Sequence, residues 1–198
     1  MPTNQQEIMK EFTDSNAIRR GHFVLSSGKH SDTYVQCALL LKDTQRSTRV
    51  CGMLADNLKK TIDCSLIDLV IAPALGGVIV GYEVARLLRK DSIFCERVAG
   101  SLALRRDFEI LAGMRLLLVD DVFTTGRSSM EIAECVENFG AEIFAQAVLV
   151  DRSRGMIDMP FPLISLIKMD YATYDASNLP QELAGIAQTK PGSRDIKS

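Results

Sequence analysis

No charge of either sign dominates this 198-residue chain: 23 Lys and Arg stand against 25 Asp and Glu, a formal net charge of −2. With a pI near 5.7, it has no global field for nonspecific nucleic-acid binding, although a local basic patch is compatible with that sum. Cysteine is sparse. Cys37, Cys51, Cys64, Cys95 and Cys135 form no CxxC pair and no metal-ligand spacing, which argues against a disulfide framework or a structural zinc site. Each has apolar neighbours, so reduced core thiols are expected. No apolar run suits a membrane helix. The longest uncharged stretch, Leu69 to Tyr82, has 14 residues and contains Pro73, Gly76 and Gly77, where a span needs about 20. Met1 to Asp14 is polar and resembles no signal peptide, so a soluble cytoplasmic protein is expected. Tryptophan is absent, and no internal repeat or Ser- or Gly-rich linker divides the chain.

What is present is ordinary globular composition, 46% apolar and 24% charged, which excludes disordered and fibrous classes. A chain of this length buries about 70% of its unfolded surface and needs neither metal nor disulfide to hold a core. Gln5 to Phe12 reads as a short amphipathic helix, with Ile8 and Phe12 four apart. Phe23 to Leu25 and Thr33 to Cys37 read as strands flanking a Ser26-Ser27-Gly28 turn. Thr44 to Lys60 carries Val50, Met53, Leu54 and Leu58 on one helical face.

An alternation follows. Leu66 to Ala72, Ser92 to Cys95, Arg115 to Val119 and Ile143 to Val150 read as strands. Val78 to Arg89 and Ser128 to Phe139 read as helices between them. Near-continuous apolar strands alternating with helices imply an α/β fold with a mostly parallel central sheet flanked by helices. Leu102 to Ile110 breaks the pattern with a period of two and reads as an extended or hairpin excursion. The tail from Asp170 onward is polar and weakly periodic.

In open parallel sheets, ligands bind beyond the carboxyl ends of the strands. There the sequence places Asp120-Asp121-Val122-Phe123-Thr124-Thr125-Gly126-Arg127-Ser128. Two adjacent acids cost repulsion and desolvation unless a polyol or a metal-bound ligand compensates them. A hydroxyl- and Gly-rich loop opening a helix offers amides and the positive dipole end to a phosphate. Together they describe a sugar-phosphate pocket. The plainer alternative is a capped helix, with Asp121 in a turn and Ser128 as N-cap.

Other nucleotide and hydrolase motifs fail. Gly28-Lys29 has Phe23 at the first P-loop glycine position and His30 after the lysine. Gly76-Gly77-Val78-Ile79-Val80-Gly81 does not fit GxGxxG, and no GxSxG occurs. His22 and His30 have no triad-like context and are expected to be ordinary surface or turn residues.

The Asp120–Ser128 stretch resembles the phosphoribosyl-pyrophosphate (PRPP) signature of type I phosphoribosyltransferases, with Phe123 a mild departure. Gly21 through Ser31 resembles the N-terminal hood of orotate phosphoribosyltransferases. Pro73-Ala74-Leu75-Gly76-Gly77 is similar to the pyrophosphate loop of one bacterial and archaeal branch, and Glu96-Arg97 through Phe108 to its mobile loop. Val150-Asp151-Arg152 matches the place of the family's orotate-binding arginine, and Lys190-Pro191-Gly192-Ser193-Arg194 resembles the branch's C-terminus. Departures exist too: Val98 follows Arg97, no Lys or His occurs from there to Phe108, and the hood lysine is Ser26. Leu179-Pro180-Gln181-Glu182 stands where the branch often has a Cys pair.

The resemblance implies a type I phosphoribosyltransferase fold in one domain, residues 1–198. Residues 1–40 would form the hood and N-terminal helix, 44–168 the sheet core and 169–198 the C-terminal tail. It implies transfer of phosphoribose from PRPP to orotate, with Mg²⁺ as cofactor held mainly by the substrate and not directly by protein ligands. Asp120 and Asp121 would serve catalysis through the ribose hydroxyls, with Arg97, Arg105 and Arg106 as candidate loop cations. Val122, Phe123, Thr124, Thr125, Gly126, Arg127 and Ser128, with Ala74, Leu75 and Gly76, would bind PRPP. Thr124, Arg152, Lys29 and Tyr34 would bind orotate, Arg152 through the carboxylate. Closure of Val98–Phe108 would exclude water. A C2 homodimer is expected, with no nucleic-acid or membrane partner. Three alternatives stay open: a purine phosphoribosyltransferase, in which Arg152 would lack an ionic partner, a nucleotide-sensing regulator, and an inactive paralogue.

Overall fold

A computed structural model of the chain describes residues 5–25 and 27–191. Ser26 of the expected turn and Gly192-Ser193-Arg194 of the tail motif therefore lie outside the described residues.

Helix α1 (Gln5–Asp14) buries Ile8 and Phe12, the pair that marked it in sequence. Strands β1 (Ile18–Val24) and β2 (His30–Val35) form an antiparallel hairpin. A short helix α2 (Cys37–Leu41) follows, and then α3 (Thr44–Thr61). The Asp43 carboxylate starts α3 by accepting from the Gln45 and Arg46 amides at 3.0 and 3.1 Å, satisfying two donors that have no intrahelical partner.

The sheet core runs β3 (Leu69–Pro73), α4 (Gly76–Leu88), β4 (Asp91–Val98), β5 (Ser101–Leu104), β6 (Arg115–Phe123), α5 (Arg127–Glu137), β7 (Glu142–Asp151) and β8 (Leu163–Lys168). The order across the sheet is β5-β4-β3-β6-β7-β8. Every pairing is parallel except β4 with β5. That exception is the excursion seen in the sequence, a hairpin turning at Ala99 and Gly100, both at positive φ. Tail helix α6 (Gln181–Ala184) leads to β9 (Gln188–Thr189), which pairs with β1 and completes a three-stranded hood, β2-β1-β9.

Alternation along β6 builds a core on each face. Leu117 and Val119 pack with Leu54 and Leu58 of α3 and with Val80 and Val84 of α4. Leu116 and Leu118 pack with Ile132 and Val136 of α5 and with Leu102 of β5. Each of these side chains contributes about 1.5–3 kcal/mol on full burial. α1 joins the first face rather than the hood: Ile8 and Phe12 belong to the same cluster as α3.

Three expectations need correction. β6 continues to Phe123, so Asp121 lies in a strand and not in a turn; β7 pairs along it as far as Phe123↔Asp151. Helix α5 starts at Arg127, with left-handed Gly126 at its N-cap and no side-chain cap, so Ser128 is not the N-cap. His22 and His30 are not surface residues. They are 2% and 5% exposed, and His22 Nε2 lies 2.6 Å from His30 Nδ1, with His22 Nδ1 3.0 Å from the Ile186 carbonyl oxygen. Both stand on the inner side of the hood, under the tail that brings β9.

Candidate active site

Strand order reverses between β3 and β6, because the chain passes from β3 outward to β4 and β5 and then returns to β6 on the other side. Such a switch point opens a crevice at the strands' carboxyl ends. The β3–α4 and β6–α5 loops meet there. A Cβ on Gly76 would stand 2.9 Å from both Asp121 carboxylate oxygens, and one on Gly77 would stand 3.1 Å from Asp120 Oδ1. The two loops approach this closely because both positions lack a side chain. The Ala74–Leu75 peptide is cis, and the Ala74 amide donates to the Cys95 carbonyl at 2.8 Å.

A cleft of about 180 Å³ occupies this crevice. Asp120, Val122, Phe123, Thr124, Thr125, Gly126, Arg127 and Ser128 line it, with Ser27 from the hood and Ser129 from α5. Gly126 adopts φ 73°, and a Cβ there would meet Met159 Sδ at 3.0 Å and Ile157 Cγ2 at 3.3 Å. Backbone conformation and the β7–β8 loop thus both select glycine at the turn.

The acids are electrostatically unsettled. Burial, and then the neighbouring Asp121 carboxylate, pushes the Asp120 carboxyl well above the usual carboxylate range. Burial also pushes Asp121 up. Local amides compensate in part: Asp120 Oδ1 accepts from the Asp121 amide, and Asp121 Oδ1 from the Val122 amide, both at 2.8 Å. A ligand offering hydroxyl donors or positive charge is what such a pair lacks.

Arg152 follows the end of β7. Its amide donates to the Phe123 carbonyl at 2.9 Å, and Asp151 locks the next residue by accepting from the Ser153 amide and hydroxyl at 2.8 and 2.7 Å. The guanidinium is half-buried, and its Nε is fully buried without a hydrogen-bond partner. Burial lowers the Arg152 pKa, opposed by Tyr171 and Tyr34. Burial raises that of Tyr34, with Asp121 adding and Arg152 opposing. Tyr34 therefore shares its surroundings with Asp121 and Arg152.

Other predicted residues stand apart from the cleft. Lys29 is exposed and pairs with Asp175 at 3.9 Å. Arg97 Nη1 lies 3.2 Å from Glu131 Oε2 and donates to the Gly100 carbonyl at 2.5 Å. Arg106 pairs with Glu96 and lies over the Phe94 ring at 5.6 Å. The Arg105 side chain makes no ion pair among the described residues. Sequence reasoning missed Ser27, Ser129 and Glu131. Glu131 also accepts from Arg127 Nε at 2.9 Å, so one carboxylate ties the cleft's arginine to the hairpin's. Ser27 lies within the hood stretch Gly21–Ser31 and Ser129 adjoins the Asp120–Ser128 stretch, which was the available signal.

Comparison with known proteins places this geometry. The phosphoribosyl transferase domain family matches residues 40–173. An orotate phosphoribosyltransferase of Sphingopyxis alaskensis is 48% identical over 191 residues, 96% of this chain and 97% of that one. The chain belongs to the orotate phosphoribosyltransferase family. A second such relative, from Erythrobacter litoralis, is 44% identical and covers 96% of this chain and 97% of its own. Among solved structures, an orotate phosphoribosyltransferase from Aeropyrum pernix matches with a TM-score of 0.67 at 28% identity, covering 81% of this chain and 93% of that one. The expected type I phosphoribosyltransferase fold is therefore the fold present. The cleft at the switch point is lined largely by the Asp120–Ser128 stretch that resembles the family's signature.

Proposed function

We propose that the chain transfers the phosphoribosyl group of PRPP to orotate, giving orotidine 5′-monophosphate and pyrophosphate in pyrimidine biosynthesis. The observation carrying the base assignment is Arg152, a half-buried guanidinium with an unpartnered Nε and no ion pair among the described residues. A planar carboxylate is the complement such a group lacks.

In the reaction a ring nitrogen of orotate bonds to C1 of the ribose as the C1–O bond to pyrophosphate breaks, and the proton on that nitrogen is lost to the departing pyrophosphate or to water. Positive charge grows on the sugar and negative charge on the leaving group. No protein nucleophile is required. Asp120 and Asp121 accept from the ribose hydroxyls, and their ionised forms stabilise the developing cation. Amides and hydroxyls of Thr124, Thr125, Gly126 and Ser128 hold the 5′-phosphate at the start of α5. Ala74, Leu75 and Gly76 border the pyrophosphate, and Tyr34, Thr124 and Lys29 border the base. Arg97, Arg105 and Arg106 lie on or next to the β4–β5 hairpin, which would cover the leaving group on closing.

Mg²⁺ fits this donor set. Among the described residues no three His, Cys, Asp or Glu side chains form a cage. Asp120 lines the cleft and Asp121 follows it in β6, a sparse oxygen set that matches a hard cation keeping mostly substrate oxygens and water. When bound, it would neutralise pyrophosphate charge, and Asp120 and Asp121 are the residues that would help to hold it.

A homodimer in the cytoplasm completes the proposal. Leu75, Ile79 and Tyr82 leave 77%, 50% and 64% of their surface exposed along one side of α4, beside the pyrophosphate loop. A second copy of the chain would cover that stripe. The described cysteines are unbridged, in keeping with a reducing compartment, and no described helix is long and apolar enough to cross a membrane.

Arg152→Ala tests the base assignment. Steady-state kinetics should show the orotate KM rising about 10- to 100-fold, as expected for a lost charge-assisted pair, with the PRPP KM nearly unchanged. Equal losses for the two substrates would remove Arg152 from the base site.

A further inference from the structure

The Arg152 guanidinium lies over one aromatic ring. Its carbon Cζ lies 5.7 Å from the centre of Tyr171, within cation–π range. No other described side chain forms an ion pair or a side-chain hydrogen bond with it.

Tyr171 is itself held on several sides. It follows β8, where the Met169 amide donates to the Asp151 carbonyl at 2.9 Å and keeps this segment beside the end of β7. Its hydroxyl donates to Met169 Sδ at 3.6 Å, and its carbonyl accepts from Arg154 Nη2 at 3.1 Å. Arg154 also pairs with Asp170. A second guanidinium, Arg20 of β1, lies 5.8 Å from the same ring; Thr33 Oγ1 and Asp32 Oδ2 accept from it at 2.6 and 3.2 Å. The ring is thus fixed by β8 and its flanks, and it touches both the hood and Arg152.

We infer that Tyr171 is a positioning residue for orotate binding, its ring face holding the Arg152 guanidinium aimed at the base carboxylate before substrate arrives. The inference rests on the base-site role proposed for Arg152. The chemistry follows from what Arg152 lacks. A long guanidinium side chain without a carboxylate partner samples many rotamers, and ordering it on binding costs affinity. A ring already stacked against it removes part of that cost. The ring also shields the guanidinium from water without accepting its N–H groups, leaving them free for an incoming carboxylate. A carboxylate at this position would compete for those donors; an aromatic face does not.

Three substitutions at position 171 test this, read as separate KM values for orotate and PRPP. Tyr171→Phe keeps the ring and should hold the orotate KM within about twofold. Tyr171→Leu should raise the orotate KM by about 3- to 30-fold, the range of one cation–π contact, with the PRPP KM unchanged. A trifluorinated phenylalanine at 171 fills the same space with a depleted face and should fall between them, which keeps the test decisive where Leu perturbs folding. In an Arg152→Ala background, Tyr171→Leu should add nothing.

An orotate KM unaffected by Leu or by ring fluorination overturns the inference while leaving Arg152 at the base site. Matched increases for both substrates also overturn it, since they mark a merely structural role. An orotate KM unaffected by Arg152→Ala overturns the base-site reading and the inference together.

Discussion

Two carboxyl groups on consecutive residues at the end of a buried strand lose hydration, and Asp120 and Asp121 both carry that penalty, to which the Asp121 charge adds repulsion at Asp120. A folded-state pKa above the ordinary value means that folding takes up protons. The favourable contribution is complete below the unfolded value near 3.8 and is lost as pH rises through the raised folded value. Asp120→Asn should therefore stabilise the unliganded protein, by about 2–4 °C in Tm for each kcal/mol of relieved repulsion. Thermal melts should show the gain growing as pH rises above the unfolded value near 3.8. A gain that shrinks with rising pH would contradict the assignment. The same variant should lose about 100-fold or more in kcat, because the ribose cation loses its nearest charge. These acids were legible in sequence because they follow an unbroken apolar strand and precede a hydroxyl-rich loop. The buried His22–His30 contact was not. Its partners sit eight residues apart on antiparallel strands, and the carbonyl facing His22 comes from Ile186, which no local pattern connects to them.

At the scale of elements, the close meeting of β3, β6 and α4 depends on atoms that are missing. A Cβ at Gly77 would stand 2.8 Å from Pro73 Cδ and 3.0 Å from the Val119 carbonyl oxygen, both with little room to move. Gly77→Ala should destabilise the protein by about 1–3 kcal/mol and raise the PRPP KM, as the β3–α4 loop shifts against Asp120. Gly52, inside α3, has nothing within 4 Å of a built Cβ. Gly52→Ala should instead stabilise by about 0.5–1 kcal/mol through helix propensity alone. Denaturant melts of the two variants check both signs, and equal signs would contradict the packing account. The alternation of apolar runs with helices made the central sheet readable, because a strand covered on both faces has no other pattern. Leu163–Lys168 went unread as β8. It follows Pro160 and Pro162, pairs with β7 on one side only, and is too short for periodicity to separate it from a loop. Strand β9 has two residues and exists only through its pairing with β1.

At the scale of the whole molecule, a net charge of −2 serves a strongly anionic substrate without a global positive field. In the proposed reading binding would be local, carried by loop amides, a metal brought by the substrate and a few arginines, two of which share Glu131. The exposed Leu75–Ile79–Tyr82 stripe ends at the pyrophosphate loop, so a second copy seated there would steady that loop. Ile79→Glu should shift the protein from dimer to monomer in sedimentation and lower its turnover. A parent protein that sediments as a monomer would contradict the proposed dimer.

The identity of the base consumed decides the chemistry. With PRPP and Mg²⁺ present, the chain should remove the near-ultraviolet absorbance of orotate with stoichiometric release of pyrophosphate, and should leave adenine, guanine and uracil untouched. Consumption of a purine, or no consumption of orotate by folded protein, would contradict the account.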